Sequence, residues 1–179
     1  MKEYVTADLH FGHKNIIKYE NRSFDSVEKM DSYIIENWNK VVNNDDLVYI
    51  LGDFSWYKGE ETNNILKQLK GKKILIIGNH DKNFLNDKKF DKALFQEIVN
   101  YKEIKRNKIK IIMCHYPMID WNGKYQESYH LYGHVHSMIN EDTKYMKKLE
   151  EKYNCLNVGI DVHKKLLNLE EILCKEKDI

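Results

Sequence analysis

Five short apolar runs of this sequence are each followed by side chains of the kinds that bind metal ions. These side chains are Asp8, His10, Asp53, Asn79, His115, His134 and His136. In open α/β sheets, ligands bind beyond the carboxyl ends of the strands, so converging strands would bring these groups together. Side chains two residues apart, such as Asp8 and His10 or His134 and His136, point to the same face of an extended chain.

The donor set indicates which ions and which chemistry to expect. Seven oxygen and imidazole donors are more than one tetrahedral zinc ion takes, and they suit two adjacent ions that share a carboxylate. Because the set contains no thiolate, we expect manganese, iron or zinc. Two metal ions roughly 4 Å apart form a clamp for in-line displacement at phosphorus, so the set predicts phosphoryl chemistry.

Glycines adjoin four of the five groups. They are Gly12, Gly52, Gly78 and Gly133. Glycine adopts backbone conformations that other residues avoid, so we expect each one to permit the turn that brings a polar side chain over the sheet edge.

The elements that must position these residues are strands and amphipathic helices. Runs rich in β-branched and aromatic residues predict strands at 3–7, 47–51, 73–77, 109–114, 130–133 and 155–160. Residues 99–114 predict a hairpin that turns at 105–108. Strands that alternate with helices early, and a hairpin later, predict an α/β fold with mixed sheets.

Helical spacing of apolar residues predicts three helices. The clearest stripe consists of Val27, Met30, Ile34, Trp38 and Val41. Asp25 is its expected N-cap, with Glu28 completing a capping box. The other two helices are predicted around Ile65, Leu66 and Leu69, and from Asn168 onward.

Composition limits the classes of protein to consider. The chain has 179 residues, 42% of them hydrophobic and 32% charged, so we expect a single domain over residues 1–179. A net charge of +1 gives little support for binding long nucleic acids or membranes. The apolar runs are too short to span a bilayer, and the N-terminal residues lack the apolar region of a signal peptide. We therefore expect a cytoplasmic protein.

The motifs D-x-H, GD, GNHD, H and GHxH, in this order from Asp8 to His136, resemble those of the calcineurin-like metallophosphoesterase family. The resemblance implies a sandwich of two mixed β-sheets flanked by helices, with a dinuclear metal site at the C-terminal ends of the strands. It implies that one ion is held by Asp8, His10 and His136. The other ion would be held by Asn79, His115 and His134, and Asp53 would bridge the two.

The resemblance also implies a mechanism for hydrolysis of a phosphoester. A hydroxide that bridges the two ions would attack phosphorus in line, and His80 would be the catalytic residue that faces the scissile phosphate and protonates the leaving oxygen. One position departs from the family: Trp56 stands where members with a GDxxDRG motif carry an acid that orients this histidine. Asp81 is left with two alternatives, orienting His80 or capping the following turn.

Substrate contacts are assigned to His13 and Arg22. His13, with Asn15, precedes an apolar segment and either meets an anion at a helix N-terminus or caps the helix. Arg22 either grips phosphate or forms a surface ion pair.

Several aromatic side chains either stack on a nucleobase or cover the edge of the sandwich. They are Trp56, Tyr57, Tyr116, Trp121, Tyr125 and Tyr129.

The functional prediction is a metal-dependent phosphoester hydrolase for a small phosphodiester or phosphomonoester such as a nucleotide. The alternative is a non-catalytic binding module or scaffold on the same fold, which can tolerate loss of ligands. Because all seven ligands and His80 are present, the enzyme is favoured.

Asn157 and Asp161, which flank the last predicted strand, are interpreted as structural or as supporting the ligands. Oligomeric state is left open.

Overall fold

Nine strands of the described residues form two β-sheets. The computed structural model describes residues 1–137 and 141–174, and of residues 141 and 142 the backbone only. The strands are β1 (Glu3–Thr6), β2 (Leu47–Leu51), β3 (Lys72–Ile76), β4 (Glu97–Val99), β5 (Tyr101–Arg106), β6 (Ile109–Cys114), β7 (Tyr129–Tyr132), β8 (Cys155–Asn157) and β9 (Leu167–Asn168).

Each sheet is mixed, because one strand in it runs against its neighbour. The first sheet has the order β4-β3-β2-β1-β9, in which β1 to β4 are parallel and β9 is antiparallel to β1. The second has the order β5-β6-β7-β8, in which β6 to β8 are parallel and β5 is antiparallel to β6. The predicted mixed sheets are therefore confirmed. The short strands β4 and β9 were not predicted.

Seven helices and two short 3-10 helices complete the described elements. They are α1 (Lys14–Tyr19), α2 (Val27–Val41), α3 (Gly59–Gln68), α4 (Lys82–Leu85), α5 (Glu141–Lys152), α6 (Ile160–His163) and α7 (Leu169–Leu173), with 3-10 turns at Lys92–Leu94 and Lys124–Gln126. The N-cap of α2 is Ser26 rather than the predicted Asp25, since its side chain accepts from the Lys29 amide. The helix α7 begins beside Asn168 as predicted, and the Asn168 side chain caps it by accepting from the Glu170 amide. Ile160 begins α6 and does not extend β8.

Alternation along the strands builds the layers. In β2, Val48 and Ile50 pack with residues of α2 and α3 such as Trp38 and Leu66. Leu47, Tyr49 and Leu51 point the other way and pack with residues of the second sheet and α7. Their partners include Ile111, Met113, Leu131 and Leu169. Because this second face is shared by both sheets, with α2 and α3 on the opposite face of the first sheet, the predicted sandwich is confirmed.

The hairpin of β5 and β6 turns where it was predicted. Arg106 pairs with Ile109, and the two residues between them, Asn107 and Lys108, have φ values of 49° and 69°. Two positive φ values in a two-residue loop match the right-handed twist of a hairpin. None of the helices in the described ranges combines the length and apolarity needed to cross a bilayer.

Candidate metal centre

The structure brings the seven predicted ligands together in two adjacent clusters. In the first cluster, Asp8, His10 and His136 each place a ligand atom within 4.8 Å of the others. In the second cluster, Asp53, His115 and His134 do the same. Asn79 belongs to the second cluster, because its Oδ1 lies 3.0 Å from Nε2 of His115. The loops that follow β1, β2, β3, β6 and β7 thus meet at one place.

Asp53 lies between the two clusters. Its Oδ2 is 3.7 Å from Nε2 of His10 in the first cluster and 3.6 Å from Nε2 of His115 in the second. The side chain is 2% exposed. One carboxylate therefore faces both sets of donors from a buried position.

The ligand pairs are presented by left-handed backbone rather than by extended strands. The φ values are 60° for Asp8, 54° for His10, 52° for Asp53, 73° for His134 and 48° for His136. The prediction that each pair lies on one face of an extended chain was wrong, since β1 ends at Thr6 and β7 at Tyr132. Positive φ in residues other than glycine is uncommon and costly, and it clusters at functional sites.

Main-chain hydrogen bonds hold the loop after β1 in this conformation. The Asp8 amide donates to the Gly52 carbonyl at 3.0 Å, and the His10 amide donates to the Asp53 carbonyl at 2.9 Å. The loops after β1 and β2 therefore continue to pair beyond the sheet. This pairing fixes the two aspartates relative to each other.

Asp81 has neither of the two roles that the sequence left open. Its buried carboxylate accepts from the backbone amides of Gly78 at 2.7 Å, Phe54 at 2.8 Å and Asp53 at 3.1 Å. It forms no side-chain cap on α4. Burial raises its pKa to about 7. Asp81 thus clamps the loop after β3 to the loop after β2.

Two glycines show why small residues stand here. Gly52 has a φ of 79°, and a Cβ built on it would lie 2.4 Å from Nδ1 of His115. A Cβ on Gly78 would lie 2.4 Å from Oδ1 of Asp53, although its φ is not positive. Gly78 therefore serves close approach of two loops and not the turn that we predicted.

Burial disfavours the charged forms of several donors in the two clusters. Burial raises the pKa of Asp8 to about 8. Burial, together with the charge of His136, lowers the pKa of His10 to about 2. Burial likewise lowers the pKa values of His115 and His134. Metal ions bind ionised carboxylates and neutral imidazoles, so a bound cation would stabilise the carboxylate charge that burial disfavours and use the imidazoles in the form that burial favours.

The imidazole rings of the two clusters have different supports. Nδ1 of His115 donates to the Leu51 carbonyl at 2.8 Å, and Nδ1 of His136 donates to Oδ2 of Asp161 at 2.9 Å. Burial opposes the charge on Asp161, but hydrogen bonds from His136 and Arg22 hold its pKa at about 2. The sequence left Asp161 as structural or as supporting the ligands, and its contact with the ring of His136 agrees with the second interpretation.

Arg22 is placed differently from the substrate contact that we expected. Its side chain is 5% exposed, and Nε and Nη2 both donate to the Asp161 carboxylate. Nη1 and Nη2 also donate to the carbonyl oxygens of Leu9 and Asp8. The guanidinium is thus committed to the protein, in a buried ion pair rather than a surface one.

His80 stands at the open side of the clusters. Its side chain is 37% exposed, with Nε2 3.9 Å from Oδ2 of Asp53, and its amide donates to Oδ1 of Asp53. Trp56 packs against it at a ring-centroid distance of 4.5 Å and stacks on His13 at 4.0 Å. Tyr116 contacts the ring of His134, a member of the second cluster, at a centroid distance of 4.8 Å.

The other predicted aromatic residues are spread over the fold. Trp121 is buried, and the Tyr57 hydroxyl donates to Asp31. Tyr125 packs against Tyr153 and not against any of the histidines in the two clusters. Of the six aromatic side chains, Trp56 and Tyr116 are therefore the two that contact the histidines of the centre.

Sequence comparison decides the family. Residues 1–105 match the calcineurin-like phosphoesterase family. The chain belongs to the calcineurin-like phosphoesterase family. The matched segment of this phosphoesterase contains Asp8, His10, Asp53, Asn79 and His80, and the fold brings the remaining histidines to them from the second sheet.

Two relatives and one solved structure are similar to this chain along almost its whole length. An uncharacterized protein of Methanocaldococcus jannaschii is 32% identical over 99% of this chain and 98% of its own length. The Gene 66 protein of Mycobacterium phage D29 is 24% identical over 98% of this chain and 96% of its own. A protein of unknown function from Aquifex aeolicus superposes with a TM-score of 0.73 at 29% identity, covering 96% of this chain and 97% of the other.

Proposed function

We propose that this phosphoesterase hydrolyses a small phosphoester with the help of two divalent metal ions. The observation that carries the proposal is the position of Asp53, whose Oδ2 faces His10 at 3.7 Å and His115 at 3.6 Å. A carboxylate shared by two donor clusters is what a pair of adjacent ions requires.

The residues fit such a pair. One ion would be held by Asp8, His10 and His136, the other by Asn79, His115 and His134, with Asp53 contacting both. Oxygen and imidazole donors without thiolate suit manganese, iron or zinc. When bound, the ions supply positive charge for the phosphate oxygens and lower the pKa of water.

His80 supplies the proton chemistry on the protein side. Its amide is anchored to Oδ1 of Asp53, so the ring is held beside the clusters while more than a third of it remains exposed. An imidazole at that position donates a proton to the leaving oxygen or a hydrogen bond to the phosphate. Trp56, which stands where an acid was expected, supports the ring by packing.

The rim of the site supports a nucleotide-like substrate. Trp56 and Tyr116 are 39% and 46% exposed, and they contact different histidines of the centre, His80 and His134. Exposed aromatic side chains beside a phosphate site provide faces on which a base stacks. His13, which stacks on Trp56 and lies near His10, is the proposed further substrate contact.

The test is hydrolysis by metal-stripped protein to which manganese, zinc or iron is returned. Bis-p-nitrophenyl phosphate and p-nitrophenyl phosphate distinguish diesterase from monoesterase activity. Asp53→Asn should abolish the metal-dependent rate, whereas Asp25→Asn, at a carboxylate that is 86% exposed, should not change it. Two bound ions without turnover of either compound or of nucleotides would contradict hydrolysis and favour a scaffold.

The nucleotide proposal has its own test. Thymidine p-nitrophenyl phosphate and methyl p-nitrophenyl phosphate share a leaving group but differ in the base. Trp56→Ala and Tyr116→Ala should raise KM for the thymidine ester about tenfold, the scale of one lost stacking contact, and leave KM for the methyl ester unchanged. Because Trp56 also packs against His80, Trp56→Ala should in addition lower kcat for both esters alike. Tyr125→Ala is the control, since this exposed tyrosine packs against Tyr153.

A further inference from the structure

The first cluster is backed by an ion pair that the hydrolytic mechanism does not use. Nδ1 of His136 lies 2.9 Å from Oδ2 of Asp161, and an ionised carboxylate only accepts hydrogen bonds. The proton of the ring is therefore on Nδ1. This leaves the lone pair of Nε2 facing the first cluster, where Nε2 of His10 is 3.3 Å away.

Asp161 is itself held rigidly. Arg22 forms two parallel hydrogen bonds to it, from Nε to Oδ1 and from Nη2 to Oδ2, both at 2.8 Å. The side chains are 5% and 2% exposed, so water scarcely competes for them. A forked contact of this kind fixes the plane of the carboxylate as well as its position.

The same guanidinium reaches a second ligand of the same cluster. Nη2 of Arg22 donates to the carbonyl oxygen of Asp8 at 2.8 Å, and Nη1 donates to that of Leu9 at 2.9 Å. These carbonyls belong to the left-handed segment that presents Asp8 and His10. On the other side, the carbonyl of His136 accepts from Asn157 at 3.2 Å.

The second cluster has a different arrangement. The ring of His115 is held by the neutral carbonyl of Leu51 at 2.8 Å. The side-chain hydrogen bonds of Arg22 and Asp161 go to each other, to residues of the first cluster and its loop, and to Sδ of Met30. In the described ranges none of them goes to His115 or His134. The ion pair therefore acts on one cluster.

We propose that Arg22 and Asp161 are positioning residues that set the orientation and tautomer of His136 and the backbone of Asp8, and so determine the affinity of one of the two metal ions selectively. The proposal rests on the two-ion site of the proposed function, but not on turnover. Partners that orient a ligating histidine typically change metal affinity by 10- to 100-fold.

The experiment is a titration of the metal-stripped full-length protein with Mn²⁺ or Zn²⁺ by calorimetry. In Asp161→Asn, one of two binding events should weaken about 10- to 100-fold while the other keeps its affinity. Arg22→Lys, which keeps a charge but lacks the fork, should weaken the same event by less. Glu3→Gln is the matched control, because Glu3 forms a forked pair with Arg106.

A second measurement keeps the proposal testable if a variant is poorly stable. Long-range ¹H–¹⁵N correlation spectra of the metal-free protein report the tautomer of each histidine. His136 should be protonated at Nδ1 in the wild type and lose this preference in Asp161→Asn, with His115 unchanged. Equal weakening of both ions, or an unchanged affinity with a lower Tm, would overturn the proposal. Two ions bound without hydrolysis would overturn only the proposed function.

Discussion

The two sheets contribute different atoms to the same centre. Loops of the first sheet supply every oxygen donor of the proposed ligand set, from Asp8, Asp53 and Asn79, and one imidazole, from His10. Loops of the second sheet supply imidazoles only. The supports differ as well: Asp81 binds backbone amides in the first sheet, whereas hydrogen bonds to Leu51 and Asp161 hold rings that come from the second.

This difference shows that neither sheet contains a metal site by itself. Each cluster combines ligands of both sheets, so the centre forms only when the apolar layer between them has packed. Stability of the sandwich and affinity for metal are therefore coupled, because a site assembled by folding returns its binding free energy to the folded state.

The largest expected effects come from removing ligands in pairs. Asp8→Ala with His136→Ala removes one cluster across both sheets, and this double variant should still bind one ion. His115→Ala with His136→Ala removes two ligands from one sheet but from both clusters, and it should bind none tightly. Either should lower turnover about 10³-fold, the upper range for losing one charge-stabilising group.

The number of bound ions is measured by calorimetry and by atomic emission after dialysis. It shows whether metal binding depends on which cluster has lost its ligands or on which sheet has lost them. Equal loss of both ions in the two double variants would show that the clusters do not bind independently. A surface double variant, Asp25→Asn with Glu60→Gln, controls for the effect of two substitutions; both of its side chains are mostly exposed.

The backbone clamp of the first sheet should contribute to stability. Asp81→Ala leaves three amides without their buried acceptor, so we expect a loss of about 3 kcal/mol in the free energy of unfolding. Asp87→Ala is the control, because Asp87 also accepts from two amides but closer to solvent. Urea unfolding of metal-free protein measures both, and a smaller loss for Asp81 than for Asp87 would contradict the clamp.

His80, in the loop after β3 of the first sheet, is expected to act in catalysis without binding metal. His80→Gln should lower kcat about 10²-fold, within the range for a general acid, and retain both ions. His13→Gln, one ring further from Asp53, should change kcat by less. Loss of metal together with activity would assign His80 to the scaffold of the centre.

The sequence predicted that the seven donor side chains come together because each one follows a strand, and strand ends of parallel sheets meet. It did not predict their left-handed backbone, which depends on main-chain bonds such as that from Asp8 to Gly52, 44 positions later in the chain. Arg22 was misassigned for the same reason. Its partner Asp161 is 139 positions away, and nothing local to Arg22 indicates burial.

Asp81 and Gly78 show the same limit at short range. Their positions after β3 were evident, but the groups they meet, the amide and carboxylate of Asp53, belong to the neighbouring loop. A period or a spacing predicts which face a residue occupies. It does not predict which loop lies within hydrogen-bonding distance of it.

The smallest expected effect tests the second sheet alone, at a histidine that is not a ligand. His130 in β7 is fully buried; its Nε2 accepts from the Met118 amide at 3.0 Å, and its Nδ1 has no partner among the described residues. Burial lowers its pKa to about 4. Below about pH 6.5, His130 binds a proton in the unfolded chain but not in the folded one. The free energy of unfolding therefore decreases as the pH falls from about 6.5 to about 4.

At pH 5 this loss should reach about 2 kcal/mol relative to pH 8. His130→Gln keeps a hydrogen-bond acceptor without a titrating group, so its unfolding free energy should fall less steeply with pH, and the gap between it and the wild type should narrow by that amount. Urea unfolding of metal-free protein at pH 8, 6.5, 5.5 and 5 measures the gap. The other histidines titrate in both proteins and cancel in the difference. If the difference in unfolding free energy between the two proteins did not depend on pH, His130 would have the same pKa in the folded and unfolded chains. Burial beside β7 would then not disfavour a charged imidazole.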